Sequence, residues 1–210
     1  SEISGNESNR AGGGIETNGA SSVELTNVAL DGNSTGVVTG AGAPGNGGGL
    51  HVSGAAPVTI TGGTVSGNFA AKEGGGLWNN QGLLTVTGTT ISGNEAAGDF
   101  VAGMPPEIVG GGGIFAEDGA GSVVINAGTT IDGNLATGVQ GSGGGILMAT
   151  GTQLTINGTD ASPVVISNNR ASRAGGGLED WSLDANENTL TNVNFTGNTA
   201  GTSPTGFTAN

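Results

Sequence analysis

Residues 65–77 read Val-Ser-Gly-Asn-Phe-Ala-Ala-Lys-Glu-Gly-Gly-Gly-Leu and contain two short motifs that recur along the chain. The first, at residues 65–68, is an apolar residue, any residue, Gly and Asn. The second, at residues 74–77, is three Gly followed by Ile or Leu. Apolar and polar residues then alternate, as in Leu84-Thr85-Val86-Thr87. Because alternation with a period of two is typical of a strand with one buried face, each unit predicts β-structure.

Both motifs repeat along the whole chain. The triple glycine occurs six times, at intervals of 35, 27, 37, 32 and 32 residues. Copies of the first motif alternate with it and end at Asn6, Asn33, Asn68, Asn94, Asn134, Asn169 and Asn198. In the copy that ends at Asn169, Asn replaces the Gly. Repeats of this length are typical of solenoids, and each is predicted to contain three short strands. We therefore expect an all-β fold, a right-handed, single-stranded parallel β-helix of about six to seven three-strand coils.

The repeats show no break between domains, so residues 1–210 are predicted to form a single β-helix domain. Incomplete terminal coils are expected at residues 1–11 and 199–210. The chain starts at Ser1 without Met or a signal peptide, as a processed form or a fragment would. The repeat also gives a structural role to the 46 Gly, which without a period would indicate a low-complexity chain.

The Asn that ends each first motif is predicted to stand at the same corner of every coil. Side-chain amides stacked in this way can bond to the amides above and below them, so the seven Asn are expected to form a ladder. The triple glycines lack side chains and therefore allow neighbouring coils to approach closely.

Charge and composition exclude several partners. Four Lys and Arg against 17 Asp and Glu give a net charge of −13. Nucleic acids and anionic membranes are therefore poor partners, because phosphate surfaces require clustered cations. No apolar run approaches the ~20 residues of a membrane helix, so we expect no membrane insertion. The absence of Cys excludes disulfides and thiolate metal sites.

The paired motifs resemble the repeats of polymorphic outer-membrane protein passengers, a family of bacterial autotransporter adhesins. That family pairs Gly-Gly-Ala-[Ile/Leu/Val] with Phe-x-x-Asn. Here Gly replaces the Ala of the first motif, and the second is matched at residues 195–198, while Ile, Leu or Val replaces Phe elsewhere. The resemblance covers about residues 3–200. It implies a pectate-lyase-like β-helix on the bacterial surface or outside the cell, with an adhesive or structural role and no transferred catalytic residue.

One column of residues is the main candidate for a binding surface. The residue after each Gly-Gly-Gly-[Ile/Leu] follows an inward-facing residue and should face outward. Four successive coils carry an aromatic or apolar residue there: His51, Trp78, Phe115 and Leu147. If exposed, this row would suit sugar rings or another protein. Alternatively, the longer segments 34–46 and 95–110 cover the row and make it a second small core.

The longest of these segments is also a candidate lip at the edge of the solenoid. Residues 95–110 carry Phe100, Met104 and Ile108, which would either contact a partner or fold down onto the coils.

Pairs of Thr form a further outward feature, at residues 59 and 61, 85 and 87, and 189 and 191. Flat Thr rows make ice binding a minor alternative, although Val124 and Asn126 interrupt the row and Thr is favoured on strands in any case.

The acidic residues are too scattered to predict an enzyme. Polysaccharide-active β-helices need clustered carboxylates with Ca²⁺, or two acids at a defined separation. The only local acidic pairs that could hold a cation are Glu117 with Asp118 and Asp180 with Asp184, and solvated loops are the alternative for both. We therefore expect no catalytic residue and no cofactor, with Ca²⁺ as the one open candidate.

These observations predict a non-catalytic, extracellular structural or adhesive module. Its expected partner is a protein, either a second copy stacked head to tail in a filament or a surface receptor. The alternative is a β-helix that binds or degrades polysaccharide.

Overall fold

A computed structural model of the protein describes residues 1–37, 44–98, 109–117, 119, 121–182 and 188–201. Within these ranges all regular secondary structure is β-strand, and every pairing between named strands is parallel. No helix in the described part of the chain has the length and apolar character needed to cross a bilayer.

Two sheets of seven strands run the length of the molecule. The first sheet contains β1 (Glu2–Ser4), β5 (Ala29–Asp31), β9 (Thr64–Ser66), β13 (Thr90–Ser92), β18 (Thr130–Asp132), β23 (Val164–Ser167) and β27 (Val193–Thr196). The second sheet contains β2 (Glu7–Ser8), β6 (Ser34–Thr35), β10 (Phe69–Ala70), β14 (Glu95–Ala96), β19 (Leu135–Ala136), β24 (Arg170–Ala171) and β28 (Thr199–Ala200).

Two further sheets have six strands each. The third sheet contains β3 (Ile15–Thr17), β7 (Leu50–Val52), β11 (Leu77–Asn79), β16 (Ile114–Ala116), β21 (Ile146–Met148) and β25 (Leu178–Asp180). The fourth sheet contains β4 (Val23–Thr26), β8 (Val58–Thr61), β12 (Leu83–Thr87), β17 (Ser122–Asn126), β22 (Gln153–Asn157) and β26 (Thr189–Thr191). The strands β15 (Val109–Gly110) and β20 (Gly141–Ser142) form a small fifth sheet.

The chain visits the four long sheets in turn and then returns to the first, an order compatible with a parallel β-solenoid. We call each set of successive strands a rung. A rung has four strands rather than the expected three, because the two residues that follow each ladder Asn form the short strands of the second sheet. Two residues are too few to show an alternating pattern, so this strand has no signal of its own in the sequence.

The motifs occupy equivalent places in every rung. Leu77 pairs with Leu50 on one side and with Ile114 on the other, so the residues after the triple glycines are in register. The core lies between the sheets, and its middle rungs are filled by Ile, Leu and Val side chains that are almost completely buried. Alternate residues of the third and fourth sheets face this core, as the period of two predicts.

The corner before each ladder Asn requires a left-handed backbone. Gly93 and Gly133 have φ of 61° and 63° at this point. In the repeat where Asn168 stands in place of this Gly, Asn168 adopts a φ of 54°. The left-handed residue is therefore the one before the ladder Asn, and Asn is the non-glycine residue that tolerates this conformation best.

The Asn side chains form a continuous hydrogen-bonded ladder through the stack. Asn94 is typical, because its Oδ1 accepts from the backbone N–H of Asn68 at 3.0 Å and from Asn68 Nδ2 at 2.9 Å. Its own Nδ2 donates to Val65 O and to Asn134 Oδ1, both at 2.9 Å. The same bonds join the other members of the ladder, which are Asn6, Asn33, Asn68, Asn134, Asn169 and Asn198. Each rung is thus tied to the next through its corner amide.

Candidate functional site

The row on the third sheet that was the main binding candidate is buried. His51, Trp78, Phe115 and Leu147 are in register on neighbouring strands, and each is 5 % exposed or less. The expectation of an exposed aromatic row is therefore wrong for the folded chain, and the row forms the second small core that was the alternative. Trp78, Phe115, Leu147 and Ala149 pack together, with Trp181 against them.

The turn at the triple glycine explains this burial. A Cβ placed on Gly74 would lie 2.8 Å from Trp78 Cβ, and a Cβ on Gly111 would lie 2.6 Å from Phe115 Cβ. The first glycine of each triple therefore lies directly against the side chain of the row. Residues that precede the triple, such as Glu73 and Ser142, are buried beside it. The row points away from the main core, as predicted, but the chain has folded back onto it.

Replacement of Leu147 by Ala should destabilise the fold, because a fully buried leucine leaves a cavity in the second core. We expect a loss of about 3 kcal/mol in the free energy of unfolding, measured by urea denaturation. The matched control is Leu83→Ala, since Leu83 is 45 % exposed and its truncation should change stability by less than about 0.5 kcal/mol. Equal, small losses in both variants would show that the row is open in solution.

A buried carboxyl lies at the edge of this second core. Glu73 is 2 % exposed, and its Oε2 accepts a hydrogen bond from Trp78 Nε1 at 3.3 Å. Lys72 Nζ lies 3.2 Å from Glu73 Oε1. The pKa of Glu73 is raised from 4.5 to about 8, chiefly by burial and also by the nearby Glu117 carboxylate, against the opposing effects of Lys72 and of the Trp78 hydrogen bond. Glu73 is therefore predominantly protonated at neutral pH.

The stability of the chain should consequently depend on pH through Glu73. The folded state retains the proton up to about pH 8, whereas an unfolded chain releases it near 4.5. The stabilisation from the neutral carboxyl is complete below pH 4.5 and is lost progressively as the pH rises to about 8. Glu73→Gln is neutral at every pH, so its free energy of unfolding should rise relative to that of the unmodified chain between pH 5 and pH 8.

Urea denaturation at half-unit pH steps measures this difference, and Glu24→Gln provides the control because Glu24 is exposed on the fourth sheet. If the Glu73→Gln and Glu24→Gln curves ran parallel between pH 5 and pH 8, Glu73 would not be a buried acid.

His51 closes one end of the second core as a neutral ring. It stacks on Trp78 with centroids 4.1 Å apart and an angle of 8° between the planes. Burial and the nearby Arg10 guanidinium lower its pKa to about 4. Its Nδ1 lies 4.0 Å from Glu16 Oε1, and Glu16 pairs with Arg10 instead. The ring is therefore an uncharged stacking surface at neutral pH.

The opposite end is closed by an ionic cluster. Arg173 Nη2 donates to Glu179 Oε1 at 3.1 Å, and its guanidinium lies 5.2 Å from the centre of the Trp181 ring. Trp181 Nε1 also donates to Glu179 Oε1. These contacts hold Trp181 against the second core, a role that the sequence pattern did not indicate.

The chemistry available at Glu73 is limited by its burial. A carboxylic acid held neutral near pH 7 has the protonation state of a general acid. Glu73 is almost completely buried, and its two oxygens lie against Trp78 Nε1 and Lys72 Nζ at the edge of the second core. Sequence reasoning missed it, since the other repeats have Ala, Asn, Gly or Ser at this position.

Only two of the four metal candidates, Glu117 and Asp180, lie in the described part of the chain. Asp118 and Asp184 lie outside the described residues, as do Phe100, Met104 and Ile108 of the predicted lip. The carboxylate of Asp180 accepts bonds from Ser182 and Asn188 in a local turn. Glu117 lies near Glu73. Across the ranges that the structure describes, no three His, Asp or Glu side chains form a group that could hold a metal ion.

The Thr pairs lie on the outer face of the fourth sheet, where their side chains are partly or fully exposed. Thr59 pairs in register with Thr85, but Val124 follows on the next strand. Asn126 Nδ2 donates to Thr87 Oγ1 at 2.9 Å, so one of these hydroxyls already has a protein partner. The described Thr face is thus interrupted in the middle of the sheet.

Comparison of the chain with known protein families, with characterised proteins and with solved structures finds no match, so its function has to be inferred from its own residues.

Proposed function

We propose that the chain is a right-handed parallel β-helix of about six to seven coils that serves as a non-catalytic, extracellular structural or adhesive module on a bacterial surface. The observation that carries this proposal is the Asn ladder, which joins the seven corner Asn residues of successive rungs without interruption. The resemblance to polymorphic outer-membrane protein passengers supports the same role.

The distribution of distinctive side chains supports a scaffold. The residues best suited to chemistry, His51, Trp78 and Glu73, are enclosed in the second core. The outer faces carry Thr, Asn and acidic residues, in keeping with a net charge of −13. An acidic, polar rod that is rigid along its length presents side chains at regular intervals, which suits contact with a receptor or a glycan.

Head-to-tail stacking of copies is the second form of this proposal. The ladder has a direction, because each amide donates to the Oδ1 of the next rung, so Asn198 of one copy would donate to Asn6 of another. Adhesion to a receptor or glycan is the form that the following experiment tests.

Microspheres coated with the purified chain test the adhesive role. We expect them to be retained under flow on glycan-coated or cell-coated surfaces several-fold better than microspheres coated with the same chain after irreversible denaturation. Assaying the fluid for released reducing sugar ends tests the degrading alternative in the same experiment. Equal retention of both preparations would refute adhesion, and released oligosaccharide would refute a non-catalytic role.

A further inference from the structure

A second row of side chains lies in register on the second sheet, separate from the aromatic row of the third sheet. Phe69, Glu95, Leu135 and Arg170 follow one another on β10, β14, β19 and β24. Each is followed by a buried Ala, so the four residues face outward. At ~4.8 Å between strands, the row is about 14 Å long.

Part of this row lines a groove of about 440 Å³. Glu95, Leu135 and Arg170 line it along the row, with Thr137 and Ser172 beside them. This volume lies within the range of sites that bind small organic ligands. Thr137 Oγ1 donates to Glu95 Oε1 at 2.7 Å and so orients the carboxylate.

Arg170 differs from the other cationic side chains. Arg10 and Arg173 each form an ion pair, with Glu16 and Glu179 respectively, and Lys72 Nζ lies 3.2 Å from the carboxyl group of Glu73. The exposed guanidinium of Arg170 forms no ion pair or hydrogen bond with any residue in the described ranges. In a chain of net charge −13, an unpaired guanidinium in a groove is the natural contact for an acidic group of a ligand, which it can bind through two parallel hydrogen bonds.

The sheet also restricts the kind of ligand. Strands β10, β14, β19 and β24 are paired on both sides, so a peptide cannot add to the groove as a further strand. The ligand must be held by side chains alone. Leu135 offers an apolar surface for the C–H face of a sugar ring, the Glu95 carboxylate can accept hydroxyl groups, and Arg170 matches a carboxylate.

We propose that this groove binds an oligosaccharide carrying a single carboxylate, in which a uronic acid unit pairs with Arg170 and neutral sugars lie along Leu135 and Glu95. This assignment rests on the proposed adhesive role and names its ligand class. A single acidic unit is specified because the negative charge of the chain opposes a ligand that is acidic at every sugar.

Calorimetric titration with an aldouronic trisaccharide, one glucuronic acid on two xyloses, tests the proposal at low ionic strength. Arg170→Gln should weaken binding about tenfold or more, the loss expected for one charge-assisted contact. Xylotriose lacks the carboxylate, so it should bind the unmodified chain about tenfold or more weakly than the acidic trisaccharide does. The matched control is Arg10→Gln, which removes the same charge beside the third sheet and should bind the trisaccharide as the unmodified chain does. Thermal melting verifies that each variant is folded.

Three results would overturn the assignment: no binding of the acidic trisaccharide, equal losses in Arg170→Gln and Arg10→Gln, or tighter binding of a short peptide with one Glu. The retention of coated microspheres distinguishes a wrong ligand assignment for the groove from a wrong adhesive role for the chain. If Arg170→Gln microspheres adhere as well as unmodified ones, adhesion stands and the groove is not its site.

Discussion

Replacement of Asn94 by Ala is expected to lower the free energy of unfolding by about 5 kcal/mol or more. Asn94 is completely buried, and its amide takes part in four hydrogen bonds with Asn68, Val65 and Asn134. Alanine would remove the Asn94 partner from the Asn68 backbone N–H, from one Asn68 Nδ2 hydrogen and from Val65 O, each loss costing about 1–3 kcal/mol in the protein interior. Asn134 Oδ1 would keep the backbone N–H of residue 94 as a donor. Since whole domains are stable by about 5–15 kcal/mol, this variant should be largely unfolded in mild urea, as circular dichroism would show.

The control for this variant is Asn6→Ala at the end of the ladder. Asn6 is exposed, and its amide donates to Asn33 while no described residue bonds to its Oδ1. Water can replace the lost bond there, so a loss of about 1 kcal/mol or less is expected. If Asn94→Ala were no less stable than Asn6→Ala, the ladder would be a consequence of stacking rather than one of its causes.

The ladder could be predicted from the sequence because its requirement recurs in every rung. A corner amide that bonds to the amide above and below must be Asn each time, so the structural constraint is visible as a repeat. The same holds for the strands of the third and fourth sheets, whose alternation over three to five residues, as at Leu84 and Val86, identifies the inward face.

Burial of the aromatic row could not be predicted in this way. Alternation shows on which side of its strand Trp78 lies, but it does not show whether another part of the chain packs on that side. Glu73 and Trp181 contribute to this covering, and both lie where the repeats differ from one another. A position whose residue differs from rung to rung gives no repeated pattern from which its burial could be predicted.

The groove on the second sheet was missed for a related reason. Its strands are two residues long, and Glu95, Leu135 and Arg170 share no chemical property. Only the register of the stack brings them into one row. The motifs that recur in every repeat therefore specify the scaffold, whereas the candidate ligand site depends on residues that are specific to each rung.

Replacement of Gly112 by Ala is expected to prevent the chain from folding into the stack, a loss greater than about 5 kcal/mol. A Cβ at this position would lie 2.4 Å from Leu135 O and 2.5 Å from Gly144 O. Both atoms belong to the backbone of the following rung, so no side-chain rotation can relieve the contact. Size-exclusion chromatography and thermal melting followed by circular dichroism would measure the loss of the folded form.

Two other Gly→Ala variants separate close approach from backbone conformation. Gly19 has no atom within 4 Å of an added Cβ, and Gly19→Ala should change stability by less than about 0.5 kcal/mol. Gly133 is equally open but has a φ of 63°, so Gly133→Ala should cost about 1–2 kcal/mol through its left-handed conformation alone. A Gly112→Ala chain as stable as the Gly133→Ala chain would mean that adjacent rungs can move apart by the width of a methyl group. We expect instead that the free energy of unfolding of Gly112→Ala is far below that of the other two variants. That result would show that the triple glycine sets the spacing between rungs at which the Asn ladder can form its hydrogen bonds.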